Sequence, residues 1–193
     1  MQANAEKENT FGRDRLMADR RQVLTGILGL GGLAAAACPA PALAAVRSSK
    51  VDRADRIVVL KRQRTLMLMK GDDVLHSFRV ALGRDPRGPK RRQGDFRTPE
   101  GEYRIDGFNP SSYFYRAIRV SYPNAEDLAR ARAAGVRAGG DITIHGLDPA
   151  IAEKWRSEHW LFNWTRGCIA VTNDEMDVIW RSVQLGTPIE IRP

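Results

Sequence analysis

At 193 residues, 42% hydrophobic and 28% charged, the chain is long enough for one globular domain with a sizeable core. Its formal net charge of +8 favours anionic partners, although charge of this kind speaks to solubility and non-specific attraction rather than to a site. Nucleic acid is set aside on the strength of an export leader, described next, which leaves an anionic envelope polymer or membrane surface, or plain solubility, as the reason for the charge.

Residues 1–44 read as that leader. Arg20 and Arg21 precede a mild, Gly/Ala-rich apolar segment from Val23 to about Ala37, and Ala42-Leu43-Ala44 supplies a small-x-small cleavage site. The paired arginine resembles a twin-arginine (Tat) signal. The apolar segment is shorter than the ~20 residues that cross a bilayer, so no stable membrane span is expected after cleavage. An uncleaved anchor and lipidation at Cys38 are the alternatives. Cleavage removes five Lys/Arg and four Asp/Glu, leaving 26 minus 19, or +7. It also leaves Cys168 as the one cysteine of an exported protein. Such a thiol forms no internal disulfide and is either an intermolecular partner or reactive. The expected location is the periplasm or cell envelope.

Residues 45–55 are polar and read as a linker to a domain over 56–193. Runs at 56–61, 65–69 and 74–82, joined by short turns such as Lys70-Gly71-Asp72-Asp73, predict an antiparallel meander. Residues 83–92 form a loop of clustered positive charge, either a solvated loop or electrostatic guidance for a carboxylate-bearing substrate. Strands are expected at 102–105 and 117–122, and a helix at 125–134 with Asn124 as its cap and Gly135 as its stop. Residues 141–145 alternate as a strand that ends in His145. Asp148 is expected to cap a helix over 149–157, with Pro149 at its first position. Trp155, Trp160, Phe162 and Trp164 cluster before the cysteine as core or lid packing, as a wall of a groove, or as both. A short buried strand follows at 169–171. A helix at 175–183, capped by Asn173 or Asp174, puts Met176, Ile179, Trp180 and Val183 on one stripe. Residues 187–191 make a closing strand. No internal repeat or low-complexity segment follows the leader. The fold expected is mainly β, a largely antiparallel β-sandwich or open barrel with a few peripheral helices.

Cys168 follows Gly167, which permits a tight turn and close backbone approach, and His145 is followed by Gly146. A cysteine and a histidine at the edges of buried strands are the minimum for a thiolate nucleophile and its base. The spacing of 168 minus 145, or 23 residues, leaves room for a helix and a loop between neighbouring strands. His145 would take the thiol proton and return it to a leaving amine. The Cys168 amide, with those of Gly167 or Arg166, could bind an oxyanion, and Arg166 beside the thiol would favour the thiolate. Gly146, Arg166 and Gly167 make up the expected oxyanion- and substrate-binding set. His76 and His159 compete as bases but read more simply as surface residues. Three histidines and one remaining cysteine show no zinc-type spacing, and no phosphate-binding glycine loop is evident, so neither metal nor cofactor is expected.

Ile144-His145-Gly146 followed by Thr165-Arg166-Gly167-Cys168-Ile169 resembles the signature of the L,D-transpeptidase catalytic domain, the YkuD-like family: a histidine, an insert, then Ser/Thr-x-Gly-Cys. Gly94-Asp95-Phe96-Arg97-Thr98-Pro99-Glu100-Gly101-Glu102-Tyr103 and Ser121-Tyr122-Pro123-Asn124 are similar to that family as well, and the resemblance covers about residues 57–191. It implies an L,D-transpeptidase-type β domain, no metal, and a thioester intermediate on Cys168. The substrates it implies are peptidoglycan stem peptides: the carbonyl of a diamino acid at the third position is attacked, the terminal D-residue leaves, and an amine takes the acyl group. Arg166 stands where many members have His, and Ala170 where many have Arg or Asn. Trp164-Thr165-Arg166-Gly167-Cys168-Ile169-Ala170-Val171 resembles the YafK-like branch, in which hydrolysis of a protein-to-peptidoglycan link stands beside transpeptidation. The function expected is a cysteine-dependent L,D-transpeptidase. A hydrolase of the same fold that releases wall-linked protein, or a non-catalytic envelope-binding module, is the alternative.

Overall fold

The computed structural model describes residues 52–151 and 153–193; the expected leader, Cys38 and most of the linker lie outside them. β1 (Arg56–Leu60), β2 (Thr65–Lys70) and β3 (Asp73–Arg79) form the expected antiparallel meander. Ile57, Val58 and Val59 are all buried, as a strand covered on both faces requires. β4 (Gly101–Ser112) runs far past the strand expected at 102–105, and β5 (Tyr115–Val120) begins and ends two residues before the one expected at 117–122; together they form one hairpin. β6 (Thr143–His145), β7 (Ile169–Ala170) and β8 (Pro188–Arg192) complete one sheet of eight strands in the order β3-β2-β1-β8-β4-β5-β6-β7. Among the strands of the described residues, β1–β8 and β6–β7 pair in parallel and the other neighbours antiparallel, so the largely antiparallel reading holds.

The two edges of this sheet meet. Beyond β3 the chain continues through Val80, Ala81 and Leu82, all fully buried, and Ala81 exchanges both backbone hydrogen bonds with Ala170 of β7, at 3.0 and 2.9 Å. Gly83 then bridges to Thr165. That seam closes the sheet toward a barrel, removing an exposed strand edge, around a core of Ile57, Leu66, Leu68, Leu82, Ile118, Ile144, Ile169 and Ile189.

α1 (Ala125–Ala133) carries the expected Asn124 cap, which forms a reciprocal capping box with Asp127. α2 (Asn173–Ser182) lays Met176 and Ile179 into the core. Its cap is Thr172, not Asn173 or Asp174, with Glu175 returning to the Thr172 amide; Asn173 instead accepts the Leu147 N–H at 3.0 Å. The helix expected over 149–157 is not formed. Asp148 accepts the Ala150 N–H at 2.8 Å in a turn, and a 3₁₀ helix follows over Glu153–Leu161. Among the described residues no helix is long and apolar enough to cross a membrane.

Candidate active site

The short parallel ladder β6–β7 pairs Ile144 with Ile169 and His145 with Ala170. One step back along it, Cys168 stands opposite Thr143. Side chains alternate along a strand, so Thr143, His145 and Cys168 share a face. All three chain segments open into one cleft of about 910 Å³, which His145 and Cys168 line together with Arg84, Phe96, Phe114, Asp141, Trp164 and Arg166.

Backbone contacts fix the turn before the thiol. Thr165 Oγ1 donates to the Cys168 carbonyl at 2.8 Å and accepts the Gly167 N–H at 3.1 Å. The Thr165 backbone is held on both sides, its N–H by the Leu82 carbonyl and its carbonyl by the Arg84 N–H. Gly167 has φ +128, and a Cβ there would fall 2.6 Å from the Arg97 carbonyl oxygen, so only glycine fits this close approach. The Cys168 sulfur is half-buried. It receives a hydrogen bond from Thr143 Oγ1 at 3.5 Å, and its proton is directed to the Asp141 carbonyl at 3.4 Å. In this rotamer the thiol is therefore bonded to the 141–143 segment rather than to the imidazole. Thr143 was not singled out from the sequence, although its alternation with His145 places it on the same face.

His145 is 2% exposed. Its Nδ1 lies 2.7 Å from the Gly146 carbonyl; a carbonyl only accepts, so Nδ1 carries the proton and Nε2 keeps its lone pair. The ring stacks on Phe114 at 4.5 Å and meets the edge of Trp164 at 5.6 Å. Burial pushes its pKa down to about 4, against the opposing pull of the Gly146 carbonyl and the Asp148 charge. The imidazole is thus neutral near neutral pH and able to accept a proton. Phe114, at the tip of the β4–β5 hairpin, was also missed in the sequence, because the strand before it was read too short and the one after it two residues late.

Gly146 and Gly167 place the site's backbone. The Gly146 N–H donates to the Arg116 carbonyl at 3.2 Å, and a Cβ on Gly146 would fall 2.5 Å from Asn173 Oδ1 and 2.9 Å from the Phe114 carbonyl oxygen. The glycine lets the chain pass between them and aims its own carbonyl at His145. Of the amides expected to serve an oxyanion, Gly167 already donates to Thr165. Those of Arg166 and Cys168 have no acceptor among the described residues.

His76 is exposed on β3, as expected. His159 is not a surface residue: it is 2% exposed and neither ring nitrogen has a partner among the described residues. Its charged sequence neighbours point outward while the ring packs inward, where burial and then the nearby His145 push its pKa down to about 4. The 3₁₀ segment that carries it is tied to the meander, with Arg64 donating to the Trp160 carbonyl at 2.6 Å and Arg79 over the Trp160 ring at 4.2 Å. Of the four clustered aromatic residues, Trp164 lines the cleft, whereas Trp155 and Phe162 are exposed and pack edge to face with each other.

The basic loop divides in two. Lys90 is buried and paired with Asp95 at 2.7 Å, and that carboxylate also takes the N–H groups of Arg91, Arg92 and Arg97. Lys61 pins the same loop from β1's end, reaching the Gly88 and Thr98 carbonyls and Glu100 at 2.7, 2.9 and 2.8 Å. Arg87, Arg91 and Arg92 are solvated. Among the described residues no group of three or more His, Cys, Asp or Glu side chains is placed to hold a metal ion.

Residues 54–191 match the YkuD family, the L,D-transpeptidase catalytic domain. The chain is 33% identical over 133 residues to YafK of Escherichia coli K12, a protein with a provisional L,D-transpeptidase name; the match covers 66% of this chain and 46% of that protein. The chain therefore spans about half the length of the curated relatives it matches. Among solved structures, the helical cell shape determining protein Pgp2 of Campylobacter jejuni superposes with a TM-score of 0.54 at 23% identity, over 70% of this chain and 46% of that one. A lysine-to-alanine variant of the same protein gives a TM-score of 0.55 at 23% identity, over 72% and 47%. At this identity the likeness concerns the fold.

Proposed function

The chain belongs to the L,D-transpeptidase catalytic domain family, and on that premise we propose that it is a cysteine-dependent acyltransferase acting on peptidoglycan stem peptides in the cell envelope. The observation that carries this reading is the β6–β7 ladder, which sets Cys168 and His145 on one face of one cleft. Rotation of the thiol away from the Asp141 carbonyl brings it to His145 Nε2, which removes its proton. The sulfur then forms a bond to the scissile carbonyl carbon, and the developing oxyanion takes the N–H groups of Arg166 and Cys168. Collapse breaks the C–N bond, and His145 returns the proton to the leaving amine. The Cys168 thioester passes its acyl group to an incoming amine. Thr143 supports the sulfur when it carries charge, and the Gly146 carbonyl holds the imidazole in the tautomer that leaves Nε2 free.

Water in place of the amine makes the same machinery a hydrolase that could release wall-linked protein. A non-catalytic envelope binder has no use for a nucleophile beside a buried neutral base. We further propose that the Arg20-Arg21 leader exports the chain, with the mature N-terminus near Ala45. Lys-Lys in place of Arg20-Arg21 should then block export, and export that continues would remove the twin-arginine reading.

The test of the reaction is intact-mass measurement of acyl-enzyme after mixing with a carbapenem or a tetrapeptide stem, followed by mass spectrometry of products from defined muropeptides. Cys168→Ala should abolish the adduct, and Cys168→Ser nearly so, since serine lacks an accessible thiolate-like form. His145→Ala should slow acylation by ~10²–10⁴-fold, the usual size of a general-base contribution. An adduct that persists in Cys168→Ala would refute the assignment.

A further inference from the structure

Every exposed Phe, Tyr or Trp among the described residues belongs to a segment that borders the Cys168 cleft. The five are Phe96, Tyr113, Tyr115, Trp155 and Phe162. Phe96 lines the cleft itself, Tyr113 and Tyr115 flank the lining residue Phe114, and Trp155 and Phe162 lie between the lining residues Asp148 and Trp164. Exposed apolar side chains scattered singly are ordinary on a protein surface, whereas a gathering of them marks an interaction site. The cleft alone does not account for this gathering, because Tyr113, Trp155 and Phe162 do not line it.

Two of the five are explained within the fold. The Tyr115 hydroxyl donates to the Asp177 carboxylate at 3.0 Å and its ring faces the Arg116 guanidinium at 5.4 Å, and Phe96 is a cleft wall. The other three stand on fixed supports with their rings in solvent. Tyr113 is 69% exposed and meets Phe114 edge to face at 5.1 Å. Trp155 and Phe162 are 41% and 50% exposed and meet each other edge to face at 5.7 Å, with the Lys154 ammonium over the Trp155 ring at 5.3 Å. Their segment is anchored through Trp160, whose carbonyl is held by Arg64 and whose ring lies under Arg79. The two groups connect through Phe114 and Trp164, 6.1 Å apart, and both of those rings contact His145. The exposed rings thus continue outward from the rings that enclose the base.

A chain of sugars fits this surface. The face of a pyranose ring presents C–H bonds while its hydroxyls lie around the edge, which matches exposed aromatic faces set among polar neighbours. In peptidoglycan each stem peptide hangs from such a chain, so a stem that reaches Cys168 brings its sugars to the mouth of the cleft. An anionic membrane surface, the other partner that exposed aromatic residues suit, calls for an excess of Lys and Arg. The 153–162 segment instead balances Lys154 and Arg156 against Glu153 and Glu158. We propose that Tyr113, Trp155 and Phe162 form a glycan platform at the mouth of the Cys168 cleft, so that the protein selects stem peptides still attached to their sugar strand over free peptides. The inference rests on the acyl-transfer reading above and adds a part of the substrate that the reaction does not touch. Contacts to such a remote part raise kcat/KM for the attached stem.

The experiment compares two donors on the full chain, a free tetrapeptide stem and the same stem still linked to its glycan strand, with acyl-enzyme formation giving kcat/KM for each. Glycan strands stripped of peptide by an amidase serve as a separate binding probe, followed by calorimetry. The linked stem should exceed the free peptide by about 10- to 100-fold, and Tyr113→Ala, Trp155→Ala and Phe162→Ala should each lower the linked-stem rate about 3- to 10-fold, the range of one stacked ring. The free-peptide rate should stay unchanged in all three, and Trp155→Phe should keep most of the preference. Stripped glycan should bind the unaltered protein and fail to bind the triple variant. Equal rates for linked and free stems would overturn the platform while leaving Cys168 acylation standing. Variants that slow both donors alike would overturn it as well, by showing that the rings only support the cleft. So would stripped glycan that does not bind while vesicles containing phosphatidylglycerol do, which would hand the surface to a membrane. Absence of any Cys168 adduct with both donors and a carbapenem would remove the acyl-transfer reading instead, and the stripped-glycan titration of the triple variant would then decide the platform by itself.

Discussion

The domain should be sensitive to mild acid, and His159 should account for about half of that sensitivity. His159 and His145 are both buried with pKa values lowered to about 4, mainly by desolvation, whereas in the unfolded chain each titrates near ~6.5. Between those values the unfolded chain binds protons that the folded domain refuses. Stability is therefore highest above about pH 6.5, falls as pH drops through the window, and levels off below about pH 4. At pH 5 each histidine has lost ~1.5 units, or ~2 kcal/mol, so the pair costs ~4 kcal/mol out of a typical total of ~5–15 kcal/mol. His159→Leu keeps apolar volume and removes two ring nitrogens that lack partners. The variant should lose only ~2 kcal/mol between pH 7 and pH 5, and at pH 7 it should be at least as stable as the unaltered protein, because the two unpaired ring nitrogens at this position are gone. Urea unfolding followed by tryptophan fluorescence at pH 7, 6 and 5 measures both quantities. Equal pH dependence in the two proteins, or a variant weaker at pH 7, would refute the reasoning.

Thr143→Val removes the hydroxyl that donates to the Cys168 sulfur at 3.5 Å; acylation should slow about fivefold, the worth of ~1 kcal/mol, with the melting temperature unchanged and Thr143→Ser restoring the rate. Gly167→Ala forces a Cβ to within 2.6 Å of the Arg97 carbonyl oxygen at φ +128; calorimetry should show a loss of ~2 kcal/mol or more, and the carbapenem adduct should form more slowly. Lys61→Met leaves the Glu100 carboxylate and two carbonyls without their donor; the domain should lose ~3–5 kcal/mol of stability with faster amide exchange across residues 88–100, and adding Glu100→Leu should recover part of it.

Most of the strands were legible because alternation or a continuous apolar run survives in them, as in Ile57-Val58-Val59 and Leu66 to Met69. The β4–β5 hairpin was cut short in the reading because Gly107, Pro110 and the Ser111-Ser112 pair break the alternation, while the ladder continues through register shifts. That error hid Phe114 and its stacking on His145. The Thr172 cap carried a readable signal, Thr-x-x-Glu ahead of an apolar stripe, and was passed over for the two acidic and amide residues behind it. His159 had no such signal: its neighbours Glu158 and Arg156 mark a solvated segment, and only the fold turns the ring inward. Cys168 and His145 were legible as chemistry, but their adjacency depends on a two-residue parallel ladder that no local pattern encodes.

The position of Cys168 depends on several distant segments at once. The Leu82–Arg84 backbone holds Thr165 on both sides, the Arg97 carbonyl packs against Gly167, and Thr143 and Asp141 hold the sulfur. Each of these segments reaches the site through a different feature: the seam between Ala81 and Ala170, the Lys61-anchored loop, and β6. The nucleophile turn is therefore fixed only once the sheet has closed. Its thiol is set on rigid β structure, whereas Trp164 and the 3₁₀ segment beside His145 leave buried polar atoms unsatisfied.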